Sequence, residues 1–227
     1  MARTRHAAGG GITVEVPLDR LPGWVNRFSG RNDGLRSIAA DGAQVVLTAG
    51  DGTTATCAVP FPPMAAGERE PLEALISHLA GIGAVGIVAV RAGAHSVGIA
   101  RHGVVVSSKT DRAYVQGRTA AGGWSQQRYA RRRGNQLTAS LGDAADAANR
   151  VLVPSASVLD ALVLAGDASA LRTVMADKRL AVLAGLPRRT FGDIPEPRRT
   201  ILDDLAERMT VVEVTVRDST VPATMGG

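Results

Sequence analysis

Cysteine is almost missing from this chain of 227 residues: Cys57 stands alone, so an internal disulfide is impossible. With four scattered histidines, that scarcity also excludes a Cys/His zinc module. No apolar run reaches the roughly 18 residues of a membrane span. The basic, glycine-rich start from Met1 to Gly11 is not followed by the hydrophobic core of a signal peptide, so the cytoplasm is the expected location. A G-x-x-x-x-G-K-[ST] phosphate loop is lacking. Acidic residues are missing between Ala74 and Gly142 apart from Asp111, which leaves no carboxylate cluster there to hold Mg²⁺ for a metal-dependent nuclease. Asp203, Asp204 and Glu207 fall on an expected helix and read as its solvated face. No metal and no cofactor is expected.

The composition, 45% hydrophobic and 21% charged, is that of a globular chain and excludes disorder throughout. The net charge of +5 is unevenly spread. Of 26 cationic residues only Lys109 and Lys178 are lysine, a bias that base composition of the genome explains without function. Position is more telling. From Arg112 to Gly142 stand six arginines (112, 118, 128, 131, 132 and 133) and no acid. A solvated helix face interleaves acids for i,i+4 pairing, whereas an acid-free positive stretch suits a polyanion, most often nucleic acid.

Organisation along the chain follows from periodicity and turn residues. After a flexible basic tail (1–11), a small β-rich domain is expected over 12–63. Ile12 to Val16 alternates like a half-buried strand, Leu18 to Phe28 suits a short helix, and Gly30 to Gly34 a turn. Val45 to Thr48 and Thr53 to Val59 are expected as strands joined by a hairpin at Asp51-Gly52. Pro60, Pro62 and Pro63 mark the boundary. A domain of about 60 residues is marginal in stability.

A second domain is expected over 70–218. It opens with a helix from Glu70-Pro71 to about Leu79. Val85 to Val90, His95 to Arg101, Gly103 to Ser107 and Tyr114 to Arg118 follow as strands. Ser125 to about Arg150 reads as a long helix weakened by Gly134 and Gly142. Val151 to Val153 and Leu162 to Leu164 are expected as short strands, and Gly166-Asp167 leads into a helix near Ala168 to Ala176. Pro197 to Met209 forms a helix and Val211 to Val216 a last strand before a flexible tail (219–227). The order predicts an α/β protein, a mixed sheet with helices on its faces beside the small β-rich domain.

Two familiar patterns carry no chemistry here. Gly81, Gly83 and Gly86 spell G-x-G-x-x-G, but they follow a helix and lead into a strand, the reverse of the dinucleotide-binding order. The histidines do not form a triad: His6 lies in the expected tail, His78 in an amphipathic helix, and His95 and His102 near strand ends.

What remains is the run from Gly117-Arg118 through Gly122-Gly123-Trp124-Ser125-Gln126-Gln127-Arg128 to Arg131-Arg132-Arg133. Physically it is a small-residue loop entering an arginine-rich helix. The paired glycines permit backbone angles and close approaches denied to other residues. Arg128, Arg131 and Arg132 are spaced i, i+3, i+4, one helical face that can track a phosphate backbone. Gln126 and Gln127 stand near the helix start, where free N–H groups favour anions. Trp124 either stacks on a base or packs the loop.

These residues, with Ser107-Ser108-Lys109, Arg128-Tyr129-Ala130-Arg131-x-Arg133 and Leu164-Ala165-Gly166, resemble the middle domain of archaeal and eukaryotic class I peptide-chain release factors, over roughly Pro71 to Asp218. That resemblance implies an RNase H-like fold. The release factors carry Gly-Gly-Gln, whereas Trp124 stands at the glutamine position here and Gln126 follows two residues later. The shifted pattern is similar to release-factor-like peptidyl-tRNA hydrolases of ribosome quality control, including a bacterial branch. The resemblance implies an enzyme that frees nascent chains on stalled large ribosomal subunits, with peptidyl-tRNA and rRNA as partners and neither DNA nor membrane. It implies Gln126 as the water-orienting residue, with Gln127 as alternative. Gly122 and Gly123 would admit the loop to the peptidyl-transferase centre. Arg118, Trp124, Arg128, Arg131, Arg132 and Arg133 would contact RNA. No counterpart of the decoding domain is visible. Two alternatives stay open: a non-catalytic ribosome- or tRNA-binding factor, and an RNase acting near the tRNA 3′ end.

Overall fold

The computed structural model describes residues 4–65, 67, 69–91, 93–112 and 124–219, without the side chains at 112, 124–130 and 133. The chain divides into two compact units, Met1–Ile82 with Thr210–Gly227, and Gly83–Met209. It begins with β1 (Thr4–His6), β2 (Ile12–Val16), α1 (Leu21–Arg31), β3 (Leu35–Ala40), β4 (Gln44–Ala49), β5 (Thr54–Ala58) and α2 (Pro71–Ala80). The second unit follows as β6 (Ala84–Arg91), β7 (Ala94–Arg101), β8 (Val104–Arg112), α3 (Trp124–Leu152), β9 (Ala161–Gly166), α4 (Ala168–Met175), β10 (Arg188–Phe191) and α5 (Arg199–Arg208). The chain then returns to the first unit as β11 (Val212–Arg217).

The first unit is a six-stranded sheet in the order β1-β2-β11-β5-β4-β3, antiparallel at every pair. Alternation places Val45, Leu47, Ala49, Ala55, Cys57, Val212 and Val214 on one buried face. Leu21, Val25 and Phe28 of α1 and Leu75 and Leu79 of α2 complete that core. The β4–β5 hairpin closes through the expected Asp51-Gly52, where the Asp51 carboxylate accepts from the Thr53 N–H at 2.8 Å. Truncating a fully buried leucine such as Leu47 to alanine costs about 2–5 kcal/mol.

The second unit is a mixed sheet in the order β10-β9-β6-β7-β8. Its β10, β9 and β6 run parallel, and β7 and β8 extend it antiparallel. Strands β6 and β9 are buried along nearly their whole length, as their unbroken apolar runs predict. On one face Ala144, Ala145, Ala147, Ala148 and Leu152 of α3 pack with Leu171 and Val174 of α4 over Val88, Val97, Ile99 and Leu162. Four alanines in that stretch let the helix axis sit close to the sheet. On the other face α5 lays Leu202 against Gly98, where a Cβ would come within 3.1 Å of its methyl.

The α/β class with two sheets is as expected. Several local expectations differ. Val151–Val153 is not a strand: α3 continues to buried Leu152, and Val153–Val158 forms a 3-10 helix that admits Pro154 in its first turn. Strand β3 escapes prediction because Leu-Arg-Ser-Ile-Ala-Ala lacks clean alternation and lies at a sheet edge. The tail expected over 1–11 contains β1, which pairs with β2. The two units also divide the chain differently from boundaries at 63 and 70, since α2 and β11 both pack into the first core. The expected strand Tyr114–Arg118 and the tail beyond Ser219 lie outside the described residues.

Candidate nucleic-acid interface

Helix α3 organises the site. Its 29 residues fall into two stretches of different character. From Ser140, which is 3% exposed, through Leu152, the helix docks on the sheet. Upstream, Arg131, Arg132, Asn135, Thr138 and Ala139 are exposed and Gln136 and Leu137 half-buried. At about 1.5 Å per residue the stretch 124–139 spans roughly 24 Å. Apolar spacing explains the difference: Leu137, Leu141, Ala144 and Ala148 recur at helical intervals, and no comparable stripe precedes them. Gly134 and Gly142 do not break the helix, and open space surrounds both.

At about 100° per residue, Arg131 and Arg132 fall on one side of α3, opposite the side that docks further along. The backbone of Gln126, Gln127, Arg128 and Arg133 belongs to α3. Among the described residues no carboxylate pairs with Arg131 or Arg132, so the positive stretch is unneutralised there. Trp124 to Gln127 are the first four described residues of the helix. Gln126 and Gln127 are thus helical, as a helix from Ser125 predicts. Arg118, Gly122 and Gly123 lie outside the described residues.

Elements around this helix are braced by contacts of their own, and Arg179 pairs with Asp146 of α3 at 2.7 Å. Strand β8, the last of the sheet among the described residues, carries Ser107, Ser108 and Lys109. Arg199 of α5 donates to the Ser108 hydroxyl at 3.1 Å and to the Val105 carbonyl at 3.3 Å. Gly166 ends β9 at φ +109°, and Asp167 then caps α4, accepting from the Ser169 and Ala170 N–H groups at 2.8 and 3.0 Å. The Ser169 hydroxyl, first, and these amides hold the Asp167 carboxyl below its usual range. The third glycine of the G-x-G-x-x-G pattern, Gly86, lies inside β6, where a Cβ would meet Leu162 at 2.8 Å and Leu152 at 3.2 Å. Its role is to seat the end of α3.

The histidines are dispersed, as the sequence suggests. His6 lies on β1, and His102 occupies the β7–β8 turn at φ +49°. His78 Nε2 and the Pro60 carbonyl oxygen are 3.0 Å apart. His95 is buried in β7, a position that spacing alone marks only as a strand end. Among the described residues no group of three or more His, Cys, Asp or Glu is placed to share a metal ion, and no helix is long and apolar enough to cross a membrane.

Among curated proteins no match is found. Of solved structures, the chain is similar to a crystal structure of the archaeal translation termination factor aRF1, with 13% identity and a TM-score of 0.38 over 90% of this chain and 68% of that one. An archaeal protein matches with 13% identity and a TM-score of 0.37 over 85% and 63%. Dom34 of S. cerevisiae, a translation termination-like factor involved in RNA quality control pathways and interacting with Hbs1, matches with 8% identity and a TM-score of 0.24 over 90% and 69%. Residues 83–215 match the family described as Actinobacteria/chloroflexi VLRF1 release factor. That span takes in the mixed sheet, α3 with its arginines, and β11, and covers more than half of the chain, which therefore belongs to this release-factor family.

Proposed function

We propose that the protein is a ribosome-associated peptidyl-tRNA hydrolase that releases nascent chains from tRNA on stalled large subunits. One observation carries the reading: a release-factor chain presents, directly after Gly122-Gly123, a helix whose first turn contains Gln126 and Gln127 and whose next turns carry acid-free arginines. The substrate bond is an ester between the peptide and the terminal ribose of tRNA, and release is its attack by water. A glutamine has no titratable proton near neutral pH, so it does not serve as general base. Its carboxamide orients water and stabilises developing negative charge. Arg128, Arg131 and Arg132, with Arg118 and Arg133, bind rRNA or tRNA phosphates and fix position rather than sequence. Trp124 stacks on a nucleotide. No metal and no cofactor enters this chemistry.

The test is release of labelled peptide from peptidyl-tRNA on purified large subunits. Gln126→Ala is expected to lower the rate by about 10²–10³-fold, the usual effect of removing one such group, and Gln127→Ala by much less. Full activity in Gln126→Ala would remove that residue from the role, and full activity in the double variant would remove the mechanism. A second reading, a binding factor without turnover, is favoured by the helical placement of both glutamines. Tight subunit binding with no release by the unaltered protein would establish it.

A further inference from the structure

On the face of the second sheet that α3 covers, one titratable side chain is buried among apolar residues. His95 of β7 is 3% exposed, and among the described residues its Nε2 has no hydrogen-bond partner. Cross-strand pairing sets it between Val90 of β6 and Asp111 of β8. It lies at the end of the sheet where β8 terminates, while Gly86, at the opposite end of β6, receives Leu152. Helix α3, which packs along β7, therefore ends at Gly86, and Asp143, nine residues before Leu152, is close enough for its charge to act on His95. Its docked stretch starts with buried Ser140 and continues through Ala144, and the exposed arginine stretch begins immediately upstream.

We propose that His95 is a proton-sensitive clasp at the root of α3: its neutral imidazole allows the helix to dock, and its protonation releases that docking and with it the placement of the arginine stretch. The charged groups that act on it are Lys109 and Asp111 from β8 and, from the exposed side of α3, Asp143 and Arg150, while β6 contributes apolar Val90. Two carboxylates and two cations leave the local field nearly balanced, so burial decides. Charging an imidazole inside a close-packed interface without an acceptor removes its hydration and returns nothing, whereas lifting α3 restores water to it. Burial holds the imidazole below its ordinary value of 6.5; Asp111 and Asp143 oppose the shift, and Lys109 and Arg150 add to it. The sign follows. The undocked form binds the proton more readily than the docked form, so docking is intact above 6.5 and weakens as pH falls below it. This device is independent of the hydrolase reading, because it concerns where α3 lies and not what its first turn does.

Amide hydrogen exchange on the full chain tests it, at about pH 7.5 and about pH 5.5, with the pH dependence of chemical exchange corrected. Protection over 137–150 is expected to fall measurably, by up to about tenfold, at the lower pH, while 84–91 and 161–166 in the same sheet stay unchanged. In His95→Leu, and separately in His95→Gln, protection over 137–150 becomes the same at both pH values. A direct proton NMR titration of His95 in the unaltered protein gives a midpoint under 6.5 even where a variant does not fold. Unchanged protection in the unaltered protein, a pH effect that persists in both variants, or a His95 midpoint at or above 6.5 would each overturn the proposal.

Discussion

Gly166 shows how much one residue can decide in this fold. It ends β9 at φ +109°, and a Cβ there would stand 2.0 Å from the Val90 carbonyl oxygen. Neither the backbone angle nor the contact tolerates a side chain, and the strand on the other side of the collision is the central β6. Gly166→Ala is expected to lower stability by about 3 kcal/mol or to prevent folding of the second unit, read by thermal or urea unfolding. A variant of unchanged midpoint would contradict the geometry. The sequence hinted at this position through Leu164-Ala165-Gly166 before an aspartate cap, but only the neighbouring strand reveals the penalty. Cys57 is the opposite case. Its isolation already excluded a disulfide, and burial in the first core pushes the thiol up to about 12, so no thiolate is available for chemistry near neutral pH.

At the scale of elements, α3 was the most legible part of the chain. The helix expected over Ser125 to Arg150 spans Trp124–Leu152, because apolar spacing in its second half and the absence of proline until Pro154 leave little alternative. The acid-free charge was equally legible, since counting needs no coordinates. Less legible was the division into docked and exposed stretches, which depends on where the sheet ends. If the exposed stretch contacts phosphates, replacing Arg128, Arg131 and Arg132 together by glutamine should weaken subunit binding and reduce the slope of log affinity against log salt by about 2–3, near 0.7–0.9 for each charge. Binding measured across a salt series checks this, and an unchanged slope removes these arginines from the interface. Short elements are less legible: composition predicts a strand at Val151–Val153 where the chain is helical, and β3 leaves no clear signal, because three to six residues carry too little periodicity to overrule their neighbours.

For the whole molecule, the main surprise is the last strand. β11 lies between β2 and β5, pairing Val214 with Val14 on one side and Cys57 on the other. The first sheet is therefore closed by a segment that follows the entire second unit. A chain ending at Met209 should lose exchange protection across 44–58 while 84–101 keeps it, since removing β11 strips ladder hydrogen bonds from two strands and Val212 and Val214 from the core. Retained protection over 44–58 would show that the remaining strands suffice. Family membership over 83–215 fits this architecture, because the matched span ends inside β11.

The sequence by itself determined the elements with sustained periodicity, the hairpin at Asp51-Gly52, the acid-free arginine stretch and the glycine pair ahead of it, all properties of residues close together in the chain. Tertiary structure alone decided which sheet receives β11 and α2, that His95 is buried on the sheet face that α3 covers, and that Gly86 seats the far end of that helix. The physical reason is range. Side-chain periodicity and turn chemistry act over a few residues, whereas strand pairing and burial are settled by whichever edges and apolar faces the rest of the folded chain leaves open.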